Sequence, residues 1–117
     1  MARTNLTKKT ALGAYGSYAA NAADLTMAAA DVANKNQFIA NGNDLVFAHN
    51  TGAAPHTITI TSSPDPFGRN RDITAYSLGA GEYAVFGPFA ITGWIQTDGK
   101  IYLEADHAEV KFGVVAL

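Results

Sequence analysis

Asn43-Asp44-Leu45-Val46-Phe47-Ala48-His49-Asn50, then Thr51-Gly52-Ala53-Ala54-Pro55, then His56-Thr57-Ile58-Thr59-Ile60-Thr61-Ser62-Ser63 is the stretch that decides the fold class. Its second half alternates. Ile58 and Ile60 sit between Thr57, Thr59 and Thr61, a period of two that sends one apolar row inward and one row of β-branched hydroxyls outward. Its first half, Leu45 to Ala48, is apolar on both faces, as in a strand covered on both sides. Gly52 and Pro55 interrupt the two halves with turn chemistry. The stretch reads as a β-hairpin in the middle of an antiparallel sandwich.

Working outward toward the C-terminus, the same grammar repeats. Ser63 to Asp72 is a polar loop in which Pro64 and Pro66 force their predecessors to be extended. Strands follow at Ile73–Ser77 and Tyr83–Phe86, the second closed by Gly87-Pro88. Trp94-Ile95-Gln96 reads as a strand leading into the Asp98-Gly99 turn. Ile101, Leu103 and Ala105 then share one face, and Val110, Phe112 and Val114 another, which reads as a final hairpin. Toward the N-terminus, Gln37–Ala40 is a short strand before Asn41-Gly42. Leu25–Ala29 is assigned to a strand, although residues 21–36 have high helix propensity and Asn21 suits a helix N-cap. The expected architecture is all-β: an antiparallel β-sandwich, jelly-roll-like, of about eight short strands over residues 25–117, with an extended N-terminal arm over residues 1–24.

Composition narrows function. The 117-residue length suits one domain. No long apolar run predicts a membrane helix, no leader pattern precedes the body, and the absence of cysteine removes any disulfide or thiolate site. Residues 1–25 hold three cations against one anion (+2), while the remainder holds five basic and nine acidic side chains (−4). An acidic body argues against nucleic acid as partner. In the arm, Leu6, Leu12, Tyr15 and Tyr18 are too apolar for a solvated tail, and Arg3, Lys8 and Lys9 add charge. These seven residues are the candidate partner-binding set, on the reading that the arm orders on a neighbouring chain.

Catalytic and metal signals are weak. His49 and His56 flank the central turn and would approach across a hairpin, and His107 sits at the last turn; none has the local spacing of a closed zinc site. Asp65 and Asp72 lack the order of a calcium loop, and Arg69 and Arg71 neutralise them. Glu104 and Asp106 read as a solvated strand side. No nucleophile elbow or phosphate-binding loop is present. The sequence therefore predicts no catalytic residues, no cofactor and no metal. Tyr76, Tyr83, Tyr102 and Trp94 are the candidates for a sugar-stacking platform, should the domain bind carbohydrate.

The run Asn43–Leu117 resembles a family of small tailed-bacteriophage structural proteins assigned to capsid decoration. The resemblance rests on Leu45-Val46-Phe47 with His49-Asn50-Thr51-Gly52; on His56 to Ile60; on Asp65-Pro66-Phe67-Gly68-Arg69 with Asp72-Ile73; on Leu78-Gly79-Ala80-Gly81-Glu82; on Phe86-Gly87-Pro88-Phe89; and on Gly93-Trp94 and Asp98-Gly99 before Ile101-Tyr102-Leu103. Fainter similarity reaches Leu25-Thr26-Met27, and the arm lies outside it. The resemblance implies a non-enzymatic β-sandwich on the outer capsid surface of the virion. There it would bind the major capsid protein and stabilise the head, commonly as a homotrimer. It implies no cofactor and carries no set of functional residues. A head–tail joining or tail component is the alternative within the virion.

Overall fold

The structure is a computed structural model that describes residues 3–11, 20, 24–63, 67–68 and 72–116. Ten strands are assigned among them and no helix. In chain order these are β1 (Thr4–Asn5), β2 (Lys8–Thr10), β3 (Ala28–Ala29), β4 (Asn36–Ile39), β5 (Asp44–Asn50), β6 (His56–Thr61), β7 (Ile73–Leu78), β8 (Tyr83–Phe89), β9 (Lys100–Ala105) and β10 (Val110–Ala116). They form two sheets. Sheet A has the order β1-β4-β9-β6-β7; sheet B has the order β2-β10-β5-β8, with β3 also on β10. The all-β expectation is met.

The core lies between the sheets and follows from alternation. Val46 and Ala48 of β5 and Phe112 and Val114 of β10 come from sheet B. Ile58 and Ile60 of β6, Ile101 and Leu103 of β9 and Phe38 of β4 come from sheet A. All are buried. Each fully hidden Val, Leu, Ile or Phe side chain contributes about 1.5–3 kcal/mol, so these inward rows are the main source of stability.

The central hairpin is not formed. β5 pairs with β10 and β8, whereas β6 pairs with β7 and β9. Thr51–Pro55 is a corner that carries the chain from sheet B to sheet A. The buried carboxamide of Asn50 holds it: Nδ2 donates to the carbonyls of Ala54 (2.8 Å) and Leu78 (3.0 Å), and Oδ1 accepts the Gly52 amide (2.9 Å). A hairpin would set the two apolar rows side by side on one sheet. Crossing over lets them face each other, which buries both. β9 and β10 also lie in different sheets, so the expected last hairpin is a second crossing. Among consecutive strands from β4 onward, only β6 and β7 pair directly.

Other boundaries move for local reasons. Of the strand assigned over Leu25–Ala29, only Ala28 and Ala29 form one, pairing with Phe112 and Lys111. β8 runs on through Gly87-Pro88 to Phe89, because it is a sheet edge where a missing N–H leaves no ladder bond unmade. Gly87 is required there: at φ 116° a Cβ would stand 2.6 Å from the Asp44 carbonyl. Trp94–Gln96 is not a strand. The Ile95 amide bonds back to the Ile91 carbonyl at 3.1 Å in a turn, and Trp94 packs edge-on against buried Phe89.

The sandwich is not purely antiparallel. β1 runs parallel to β4, and β2 runs parallel to β10. Residues 3–11 therefore order on the chain's own body, strapping an edge of each sheet. Unpaired backbone at a sheet edge favours any strand that can pair with it, and here β1 and β2 supply it.

Candidate functional site

Three regions hold the residues that sequence reasoning singled out. The first is the strap. Leu6 is buried in the core cluster. Arg3 donates from Nη1 to the Asn36 carbonyl at 3.2 Å and lies 4.3 Å from the centroid of the Tyr102 ring. Lys8 donates from Nζ to the Ile39 carbonyl at 2.6 Å and to Asp44 Oδ1 at 3.0 Å. Asp44 is fully buried, and its Oδ2 accepts the Asn41 amide at 2.7 Å. The Thr4 hydroxyl donates to Asp31 and, with the Asn34 amide, holds that carboxyl below its ordinary value. Arg3, Leu6 and Lys8 thus clamp the strap to its own sandwich. Lys9 lies on β2 in register with Val115. Leu12, Tyr15 and Tyr18 fall outside the described residues.

The second region is the pair of outer faces. On sheet A the cross-strand neighbours are Gln37 and Tyr102, Thr59 and Glu104, Thr61 and Tyr102, and Thr57 and Ser77. Apart from exposed Ile39 at the end of β4, this face is polar and internally bonded. The Tyr102 hydroxyl donates to Asp98 at 2.7 Å, Lys35 pairs with Glu104 at 2.9 Å, and Gln37 donates to Asn5 Oδ1 at 2.8 Å. On sheet B the neighbours are Phe47 with Val85 and Gly113, Leu45 with Val115, and His49 with Tyr83 and Lys111. Leu25 and Met27 lie over Gly113 on this face. It is therefore an apolar surface: Leu45, Phe47 and Val115 are half-buried, Val85 is 57% exposed and Tyr83 is 69% exposed. Its cations are Lys9 and Lys111, and none of these residues is acidic. The double-sided apolar pattern of residues 45–48 marks this face. Sequence reasoning saw the pattern but had no pairing from which to locate the surface.

The third region is the corner where the β5–β6 and β9–β10 connections meet. His49 and His56 do not approach each other. His49 stacks on Tyr83 (ring centroids 3.8 Å apart), while His56 stacks on His107 (4.6 Å). Glu109 joins them, with Oε1 3.0 Å from His56 Nε2 and 3.5 Å from His107 Nδ1. Asp106 Oδ1 lies 3.4 Å from His56 Nδ1 and accepts the Thr57 amide at 3.1 Å. Sequence reasoning missed Glu109, although its position two residues after His107 was a local signal.

The remaining candidates disperse. Asp72 binds Ser62, accepting from its hydroxyl at 2.6 Å and its amide at 2.8 Å, and these bonds hold the carboxyl below its ordinary value. Asp65, Arg69 and Arg71 lie outside the described residues. Tyr76 meets Phe86 edge-on, Tyr83 stacks on His49, Tyr102 engages Arg3 and Asp98, and Trp94 packs on Phe89. These four rings do not form one platform.

No family model matches the chain, and neither a curated protein nor a solved structure matches it.

Proposed function

We propose that this chain is a non-enzymatic virion structural protein, a capsid decoration protein. In this reading it docks on the major capsid protein through the outer face of sheet B and stabilises the head. The observation that carries the reading is the contiguous apolar outer face of sheet B, where exposed Val85 lies beside half-buried Phe47 and Leu45. Contiguous apolar surface rimmed by polar residues marks an interaction site. Lys9 and Lys111 beside it favour an acidic rim on the partner. The strap supports the choice of face, because Arg3, Leu6 and Lys8 are already engaged within the chain. A protein that cements a shell needs many repeated weak contacts and no chemistry, since avidity multiplies modest affinities. Assembly as a closed trimer over a local three-fold position suits such repetition.

The test compares capsids incubated with wild-type chain and with Val85→Asp. Occupancy on the particle is read by gel densitometry and by electron microscopy. Val85 is exposed, so the variant is expected to fold, which far-UV circular dichroism checks, and its occupancy is expected to collapse. Equal occupancy of the two proteins would overturn the choice of face. Density confined to a single ring at one vertex would overturn decoration in favour of a head–tail joining role.

A further inference from the structure

We propose that His56, His107 and Glu109 form a binding site for a divalent transition-metal ion of the zinc class, at the corner where the β5–β6 and β9–β10 connections meet. The three residues each offer one ligand atom, and these atoms lie within 4.8 Å of one another. Tetrahedral zinc with bonds of about 2.0–2.2 Å to nitrogen and oxygen holds its donors about 3.3–3.6 Å apart. Glu109 Oε1 stands 3.0 Å from His56 Nε2, within a few tenths of an ångström of that spacing, and His107 Nδ1 lies 3.5 Å from the same oxygen before its ring turns. Two imidazoles and one carboxylate are a donor set that suits zinc and its neighbours better than calcium or magnesium, which select oxygen alone.

The surroundings hold two of the three ligands in place. The Glu109 carbonyl accepts both the Thr51 amide (3.0 Å) and the Thr51 hydroxyl (2.7 Å), which ties the β9–β10 turn to the β5–β6 corner. Position 52 must be glycine for this carboxylate to sit where it does: a Cβ there would be 2.4 Å from Glu109 Oε1. His56 is largely enclosed, and Asp106 faces its second ring nitrogen. A carboxylate behind a ligating imidazole orients the ring and raises its basicity. His107 must adjust. Its ring is stacked on His56 and its Nδ1 accepts the Glu109 amide at 3.0 Å, so ligation requires the ring to turn and release that bond. Its side chain is 52% exposed, which leaves it free to turn. Three protein ligands leave a fourth position open to solvent.

Titrating the full chain with zinc chloride in a calorimeter, in parallel with calcium chloride, tests the site. The expected result is one zinc per chain, a rise in thermal midpoint with zinc, and no heat from calcium. His107→Gln and Glu109→Gln are each expected to weaken zinc binding at least tenfold, while His49→Gln, in the third histidine, leaves it unchanged. Far-UV circular dichroism of each zinc-free variant checks folding. Should His56→Gln fail to fold, the two exposed variants still decide. Zinc binding that does not saturate, or that survives unchanged in both His107→Gln and Glu109→Gln, would overturn the proposal.

Discussion

The outer faces of the two sheets are built from the same alternating strand grammar and end in opposite chemistry. Sheet A turns outward threonines, Tyr102 and Glu104, and it satisfies them locally: Asp98 takes the Tyr102 hydroxyl, Lys35 takes Glu104, and Arg3 lies over the Tyr102 ring. Sheet B turns outward Leu45, Phe47, Val85 and Val115, with Leu25 and Met27 over part of it. A face whose polar groups are paired within the chain has little left to offer a partner. A face that leaves apolar side chains in water gains from being covered, by about 25 cal/mol per Å². The contrast shows that a sandwich's outer surfaces need not be equivalent, and the apolar one is the face the proposed docking uses.

The strap bears on this contrast most strongly. Lys8 is the cation facing fully buried Asp44, and removing one partner of such a pair costs about 3–5 kcal/mol. Lys8→Ala is expected to lower the urea midpoint correspondingly and to free β2 from β10. That would widen the apolar face of sheet B, visible as increased binding of a hydrophobic dye. An unchanged midpoint would mean that the strap does not limit that face.

A smaller effect separates the two faces directly. On the proposed docking role, burying an aspartate at position 85 in the interface is expected to cost about 2 kcal/mol or more, roughly a thirtyfold loss of affinity for capsids. Thr59→Asp, on the outer face of sheet A, is expected to change it little. Equal losses would erase the distinction between the faces. Smaller again is Gly113→Ala, whose new methyl would stand 3.0 Å from Leu25 and 3.2 Å from Met27. It is expected to destabilise the fold by about 1–2 kcal/mol if those side chains cannot shift, read as a lower thermal midpoint.

The smallest expected effect lies on the polar face. The Tyr102 hydroxyl holds the Asp98 carboxyl below its ordinary 3.8, and that carboxylate holds the phenol above its ordinary 10.0. A carboxyl with a lowered folded pKa adds stability that is complete above 3.8 and is lost as pH falls through the folded value. A phenol with a raised folded pKa adds stability that is complete below 10.0 and is lost as pH rises through the folded value. Tyr102→Phe is expected to return the Asp98 titration upward toward 3.8. Asp98→Asn is expected to return the Tyr102 titration downward toward 10.0. Carboxyl NMR and tyrosinate absorbance measure the two.

Much of this was legible in the chain. The Ile58 and Ile60 alternation, the inward row of β9 and the Thr51–Pro55 break follow from local chemistry, and strands form beside that break where the pattern placed them, although β8 runs through Gly87-Pro88. The candidate sites were less legible. Lys8 gave no sign that it would turn inward to Asp44, thirty-six positions away, and His49 looked the nearer partner for His56.

What the sequence determined by itself is which residues face inward, because side-chain direction along a strand is a property of the backbone. Which strand lies beside which was decided only by the tertiary structure. Alternation carries no label for its partner, so Thr51–Pro55 reads equally as a hairpin loop or as a corner. The corner wins because it sets Val46 and Ala48 opposite Ile58 and Ile60 across one core. The same choice separates His56 from His49, brings it to His107, and leaves one sheet with its apolar back in water.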